Sequence, residues 1–123
     1  MKNFGWAIIG PGRIAHRFAE AVNKTDNTHI AMVLGRDAAR SRAFADAWER
    51  DGRVPIATTL NIDDVLNAVE VDAVYIATPH AFHADAIRRC LMAGKPVLCE
   101  KPLVTDARTA HELIELSRRH NTF

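Results

Sequence analysis

Short apolar runs alternate with longer segments of helical periodicity along the chain, and this alternation limits its fold more than any other feature. Residues 6–9, 30–34, 73–77 and 97–99 form continuous apolar runs, which are typical of strands covered on both faces. Between them, apolar residues recur every three or four positions, as in a helix with one buried stripe. Strands joined by such helices run parallel with right-handed crossovers. The sequence therefore predicts an α/β fold, a Rossmann-type doubly wound parallel sheet in three αβα layers.

The helical stripes also predict which residues face the core. The predicted stripes are Ile14, Phe18 and Val22; Phe44, Ala45 and Trp48; Val65, Leu66 and Val69; Ala84, Ile87 and Leu91; and Ala110, Leu113, Ile114 and Ser117. Asn61 and Thr105 are placed to cap the starts of helices, and Gly94 is placed to end one. No repeat or linker interrupts the pattern, so we expect residues 1–123 to form one domain.

Composition excludes several classes of function. The 123 residues carry 16 Lys and Arg against 15 Asp and Glu, so the net charge of +1 gives no field for nucleic acid or an anionic membrane. No segment approaches the roughly 18 to 20 apolar residues of a membrane span, and no secretory signal is visible. The two cysteines, Cys90 and Cys99, lack metal-ligand spacing. We expect a cytoplasmic protein without a nucleic-acid or membrane partner and without a bound metal.

The first predicted strand runs into a G-x-G-x-x-A motif formed by Gly10, Gly12 and Ala15. In a dinucleotide-binding turn, the first glycine permits the sharp bend, the second lets the backbone approach a pyrophosphate, and the small third residue brings helix and strand together. The helix N-terminus attracts the anion. Arg13 and Ile14 lie inside the motif and are predicted to border the cofactor. Alternatively, the turn only reverses the chain, or it belongs to a methyltransferase.

The end of the second strand bears on the choice between NAD and NADP. An acidic residue about 20 positions beyond the motif holds the ribose 2′-hydroxyl of NAD, but Gly35 and Arg36 occupy this zone. Because a guanidinium pairs with a 2′-phosphate, Arg36 favours NADP, and Arg40 could add a second contact. The alternative is that both arginines form a solvated face and Asp37 caps the next helix. Asp37 could also turn onto an NAD ribose, so NAD stays possible.

Polar residues follow two further strands. Thr78, Pro79, His80 and His83 follow one of them, and Glu100, Lys101 and Pro102 follow the next. Ligands of open α/β sheets bind at the carboxyl ends of strands, so these residues are predicted to face the same crevice as the glycine turn. A lysine at such a strand end is a candidate catalytic group. The two histidines lack further ligands for a metal, so a cofactor-facing or structural role is favoured.

Together these motifs resemble the N-terminal domain of the Gfo/Idh/MocA oxidoreductase family, which includes glucose-fructose oxidoreductase, inositol dehydrogenase and dihydrodiol dehydrogenase-like enzymes. The resemblance spans essentially the whole chain and is most specific at residues 100–103, Glu-Lys-Pro-Leu. It implies that Lys101 lies beside the nicotinamide and the substrate hydroxyl, that Glu100 helps to hold the cofactor, and that Thr78 and Pro79 line the nicotinamide side. The pair Gly35 and Arg36 looks like the version found in NADP-preferring members.

The family's C-terminal substrate domain is absent from these residues, so the chain is predicted to be a fragment of a two-domain enzyme. The resemblance implies that the parent transfers hydride between NADP(H) and a sugar, polyol or diol, and that it forms homo-oligomers. The fragment alone is expected to bind dinucleotide more readily than it turns over substrate. The alternative is a non-catalytic NAD(P)-sensing module, because a fold does not fix a function.

Overall fold

The computed structural model describes residues 4–49, 55–78, 83–99, 107–120 and 122, and strands and helices alternate throughout them. The elements are β1 (Phe4–Ile9), α1 (Arg13–Asn23), β2 (Thr28–Leu34), α2 (Ala38–Trp48), β3 (Ala57–Thr59), α3 (Ile62–Asn67), β4 (Ala73–Ile76), α4 (His83–Met92), β5 (Val97–Cys99) and α5 (Ala107–Arg119). Within the described ranges, no helix is long and apolar enough to cross a bilayer.

The strands form one sheet in the order β3-β2-β1-β4-β5, and every neighbouring pair is parallel. The chain winds outward from β1 to β3, then returns to place β4 on the other side of β1. The predicted doubly wound sheet is therefore confirmed. In such sheets the strand order reverses between β1 and β4, and a crevice opens there at the carboxyl ends of the strands.

Helices cover both faces of the sheet, which completes the three layers. On one face, Ile9 and Ile76 belong to the same buried cluster as Ile87, Leu91 and Leu113 of α4 and α5. The cluster on the other face contains Ile8, Val33 and Tyr75 of the sheet with Ala15, Ala19, Phe44 and Ala45 of α1 and α2. Because side chains alternate along a strand, the continuous apolar runs supply both clusters.

The strand β3 was not among the predicted strands. It has three residues, Ala57, Thr58 and Thr59, and lies at the edge of the sheet, where its side chains are partly or fully exposed. An edge strand this short and polar has no apolar run to detect. Its pairing with β2 nevertheless sets the position of α3.

Two of the predicted helix caps are confirmed. The side chain of Asn61 accepts a hydrogen bond from the amide of Asp63 at 2.9 Å, at the start of α3. Gly94 has a φ of +76° and its amide donates to Leu91 O at 3.0 Å, which ends α4 as a C-terminal glycine does. Thr105 lies outside the described residues.

Four residues predicted to be buried are exposed: Ile14 by 38%, Val69 by 90%, Leu98 by 50% and Ile114 by 48%. In α1 the buried line is Ala15, Ala19 and Val22, so Ile14 falls at its margin. Val69 lies beyond the last residue of α3 and has no helix to carry it inward. The periodicity of apolar residues predicts that a helix has a buried stripe. The rotation of the helix about its axis and the residue at which it ends are set by packing.

Candidate functional site

The glycine turn after β1 is held against the ends of β2 and β4. The amide of Gly10 donates to Leu34 O at 2.9 Å, and Gly10 has a φ of +94°, a conformation that favours glycine. A Cβ placed on Gly10 would lie 3.0 Å from both the carbonyl carbon of Ala77 and the amide of Thr78. The first glycine of the motif is therefore needed for its backbone conformation and for the close approach of β4.

Gly12, unlike Gly10, has open space beside its backbone. It precedes α1 as the N-cap residue, and a Cβ built on it would meet nothing within 4 Å. The first turn of α1 contains no acidic residue, and the N-cap has no side chain to bind the free amides. These amides and the helix dipole therefore present a partial positive charge to an anion beside Gly12. Arg13 and Ile14 are exposed at this end of the helix.

Asp37, which follows β2, caps the N-terminus of α2. Its Oδ1 accepts hydrogen bonds from the amides of Ala39 at 2.9 Å and Arg40 at 3.2 Å, so it is the N-cap residue of this helix. The capping alternative considered from the sequence is thus the arrangement in the structure. The cap also fixes the start of α2, on which Arg40 lies.

Replacing Asp37 with Ala is expected to lower the free energy of unfolding by about 1 kcal/mol, because two amides at the start of α2 lose their acceptor. Urea unfolding measures this change. Asp26→Ala removes a matched exposed carboxylate from the turn after α1 and should change stability by less than about 0.5 kcal/mol. Equal losses in the two variants would show that the cap is not the cause.

A cavity of about 310 Å³, called the turn cavity here, connects the glycine turn to the two arginines. It is lined by Gly10, Pro11, Gly12, Arg36, Arg40, Ala77 and Thr78. Five residues predicted to bind the cofactor, namely Gly10, Gly12, Arg36, Arg40 and Thr78, therefore come together. The cavity combines an open backbone, the N-terminus of α1 and two cationic side chains, which suits a ligand with several negative charges.

A second cavity of about 250 Å³, called the α4 cavity, lies beside the first and shares Gly10, Arg36 and Thr78 with it. It is lined also by Ile9, Leu34, Gly35, Ile62, Asp85, Ala86 and Arg89. Apolar side chains from β1, β2 and α3 suit the flat face of a base, and Arg89 pairs with Asp63 at 3.0 Å. The predicted residue Gly35 lines this cavity.

Sequence reasoning missed the contribution of α3 and α4 to this cavity. Ile62, Asp85 and Arg89 belong to no motif, and they reach the site because α3 follows β3 and α4 follows β4. The only signal available was the topology itself, which places helix starts after strand ends.

Several predicted site residues lie outside the described ranges. They are Pro79, His80, Glu100, Lys101 and Pro102. His83 is the first residue of α4. The roles expected of these residues stay predictions.

The described residues do not bring together three or more His, Cys, Asp or Glu side chains that could hold a metal ion. Burial raises the pKa of the Cys90 thiol to about 12, which keeps it protonated at neutral pH. A protonated, buried thiol packs as a small apolar side chain.

Comparison with known protein families identifies the family of this chain. Residues 4–123 match the Gfo/Idh/MocA model, which describes an oxidoreductase family with an NAD-binding Rossmann fold. The chain belongs to this family. Inositol 2-dehydrogenase of Corynebacterium glutamicum is 34% identical over 119 residues, which are 96% of this chain and 34% of that protein. Trans-1,2-dihydrobenzene-1,2-diol dehydrogenase of Mus musculus is 31% identical over 120 residues, again 96% and 34%.

Among solved structures, a 3-ketoreductase from Actinomadura kijaniata in complex with NADP and TDP-benzene superposes with a TM-score of 0.87 at 30% identity. The match covers 98% of this chain and 36% of that one. The Gfo/Idh/MocA chain described here thus spans about a third of the length of the relatives it matches. Its fold is that of their NAD(P)-binding part.

The described residues fit a dinucleotide on their own geometry. A pyrophosphate needs close backbone approach and unpaired amides, and the open face of Gly12 at the start of α1 supplies both. The α4 cavity offers apolar contact for a base, on the side of the crevice where Gly35 and Arg36 follow β2. The motif glycines, α1 and β2 therefore form a site of the right chemistry at the strand-order reversal.

Proposed function

We propose that this chain is the NADP(H)-binding domain of an oxidoreductase that transfers hydride between the cofactor and a sugar, polyol or diol. The observation that carries the proposal is the turn cavity, where the glycine turn, the start of α1, Arg36 and Arg40 meet. Anion recognition at a helix start and cation pairing at the end of β2 are the two parts of dinucleotide binding.

The selection of NADP rests on the charges at the end of β2. Arg36 and Arg40 both line the turn cavity, and a guanidinium binds a phosphate through two parallel hydrogen bonds. The nearby carboxylate of Asp37 accepts two amide hydrogen bonds at the start of α2. Turning it onto an NAD ribose would break both. The balance of charge at this strand end therefore favours a 2′-phosphate over a 2′-hydroxyl.

Each residue has a separate task in the proposed reaction. The backbone of Gly12 and the first amides of α1 bind the pyrophosphate, while Arg36 and Arg40 hold the 2′-phosphate. Lys101 orients and polarises the substrate oxygen and exchanges a proton at Nζ, which is the role implied by the family resemblance. A nicotinamide supplies or accepts the hydride when it is bound. Thr78, Pro79, His80, Glu100 and Pro102 are proposed to border it, since they follow neighbouring strands.

The substrate class is proposed from relatives. Proteins about a third identical to this chain are named for oxidation of inositol and of a trans-dihydrodiol, both of which carry vicinal hydroxyl groups. A polyol or diol is therefore the first class to test with the full-length enzyme. A protein that binds NADPH but turns over none of these compounds would favour the sensing alternative.

Titration with NADPH and NADH tests the proposed cofactor. The protein is expected to bind NADPH more tightly, and Arg36→Ala should weaken NADPH binding by roughly 10- to 100-fold, the value of one charge-assisted pair. NADH binding should change by less than about threefold, because NADH has no 2′-phosphate for the guanidinium. Isothermal calorimetry at fixed salt measures both affinities.

Arg119→Ala is the matched control, since Arg119 is exposed at the end of α5, on the side of the sheet where strands begin. It should leave both affinities unchanged. Equal loss of NADPH and NADH affinity in Arg36→Ala would contradict the assignment of Arg36 to the 2′-phosphate. Binding of S-adenosylmethionine alone would overturn the dinucleotide proposal.

A further inference from the structure

The position just after β2 is crowded by two neighbouring residues. Gly35 follows Leu34, the last residue of β2, where an acidic residue would reach the ribose of NAD. A Cβ built on Gly35 would lie 2.4 Å from Ser41 Oγ and 3.0 Å from Cγ and Cδ of Pro11. The φ of Gly35 lies outside the left-handed region, so its backbone admits other residues. A side chain at position 35 is therefore opposed by steric contact alone.

Ser41 forms one wall of this crowded position. It is fully buried on α2, its amide donates to Asp37 O at 3.0 Å, and the Asp37 cap fixes the start of the same helix. Its Oγ has no hydrogen-bond partner in the described part of the chain. A buried hydroxyl without a partner costs stability, so hydrogen bonding does not account for the serine at this position.

Pro11 is the second wall, and it belongs to the glycine turn. It lies between Gly10 and Gly12 in sequence, and it lines the turn cavity. Gly35 is thus enclosed by a helix on one side and by the motif loop on the other. The amide of Gly35 also donates to Thr59 O at 3.3 Å, which ties the position to β3.

We propose that Ser41 and Pro11 are specificity-determining residues that keep position 35 without a side chain and so exclude the carboxylate that would select NAD. The proposal rests on the proposed NADP(H) function and adds an exclusion to the attraction exerted by Arg36. Discrimination between two ligands is strongest when contacts to the right one are combined with obstacles to the wrong one. Here the obstacle acts on the protein's own side chain: crowding by Ser41 and Pro11 disfavours an acidic residue at position 35.

A double-mutant cycle of Gly35→Ala and Ser41→Ala tests the contact. Gly35→Ala alone should lower Tm by at least about 4 °C, as an overpacked position does, and should weaken NADPH binding roughly tenfold by displacing the turn. Adding Ser41→Ala should restore at least half of both losses, because the oxygen at 2.4 Å is gone and Pro11 needs to yield only slightly. Gly35→Ala with Ser41→Cys is the matched control, since the sulfur keeps the obstruction and should restore neither.

Gly35→Asp, alone and with Ser41→Ala, tests specificity. The single variant should lose Tm like Gly35→Ala, whereas the double variant should fold and shift the ratio of NADH to NADPH affinity at least roughly tenfold toward NADH. Additive losses in the Ala cycle, or a Gly35→Asp protein with unchanged Tm and NADH preference, would overturn the proposal. If the unmodified protein binds neither dinucleotide, the proposed function fails, while the Tm cycle still tests the steric contact.

Discussion

Replacing Lys101 with Met in the full-length enzyme is expected to lower turnover at saturating substrate by roughly 100-fold or more, while NADPH affinity stays within about threefold. Met has a similar length and no charge, so it fills the position but neither polarises an oxygen nor exchanges a proton. Loss of a positioned proton-transfer group lowers rates by about 10²- to 10⁴-fold. Absorbance of the reduced nicotinamide follows turnover, and calorimetry follows cofactor binding.

The two readouts separate catalysis from binding. A fall in kcat without a matching rise in Kd assigns Lys101 to the reaction, whereas a parallel loss of NADPH affinity assigns it to cofactor binding. Lys24→Met is the matched control, because Lys24 is an exposed lysine after α1 whose partner is Glu20, at 3.4 Å. It should leave both quantities unchanged. Full turnover in Lys101→Met would remove Lys101 from the mechanism.

The fold could be predicted because its strongest signals are local. Each continuous apolar run marks a strand, although Leu98 of the edge strand β5 is 50% exposed. The helices between the runs require parallel strands. The three-residue strand β3 could not be predicted, because its Thr58 and Thr59 are half-exposed and, among the described strands, it pairs only with β2. Such a strand is specified by pairing with a neighbour rather than by its own residues.

The candidate site likewise has a part that sequence motifs predict and a part that they do not. Gly10 and Gly12 follow β1, Arg36 and Arg40 follow β2, and the turn cavity brings the two pairs together. The α4 cavity instead takes Ile62 and Arg89 from helices that carry no motif. The enclosure of Gly35 by Ser41 was equally invisible, because it depends on the rotation of α2 about its own axis. Motifs predict the contacts made by the loops that contain them. Contacts made by residues of the helices depend on how the helices pack.

Replacing Gly10 with Ala is expected to lower the free energy of unfolding by about 2 to 5 kcal/mol and to weaken NADPH binding by more than about tenfold. Two costs add: the left-handed backbone at a φ of +94°, about 1 to 2 kcal/mol for a residue with a Cβ, and overpacking, about 1 to 3 kcal/mol. The added Cβ would press on the backbone of Ala77 and Thr78 at 3.0 Å, which cannot move aside as a flexible side chain can. Denaturant unfolding and NADPH titration measure the two effects.

Gly94→Ala measures the first cost alone, because the two glycines share a left-handed backbone and differ in their surroundings. Gly94 has a φ of +76°, and a Cβ built on it would meet nothing within 4 Å. It should therefore lose only the backbone contribution, about 1 to 2 kcal/mol, and keep its NADPH affinity. The excess loss in Gly10→Ala then measures the close approach of the glycine turn to β4. If both variants lost the same stability and neither lost affinity, Gly10 would be an ordinary turn residue, and β4 would not position the turn for the cofactor.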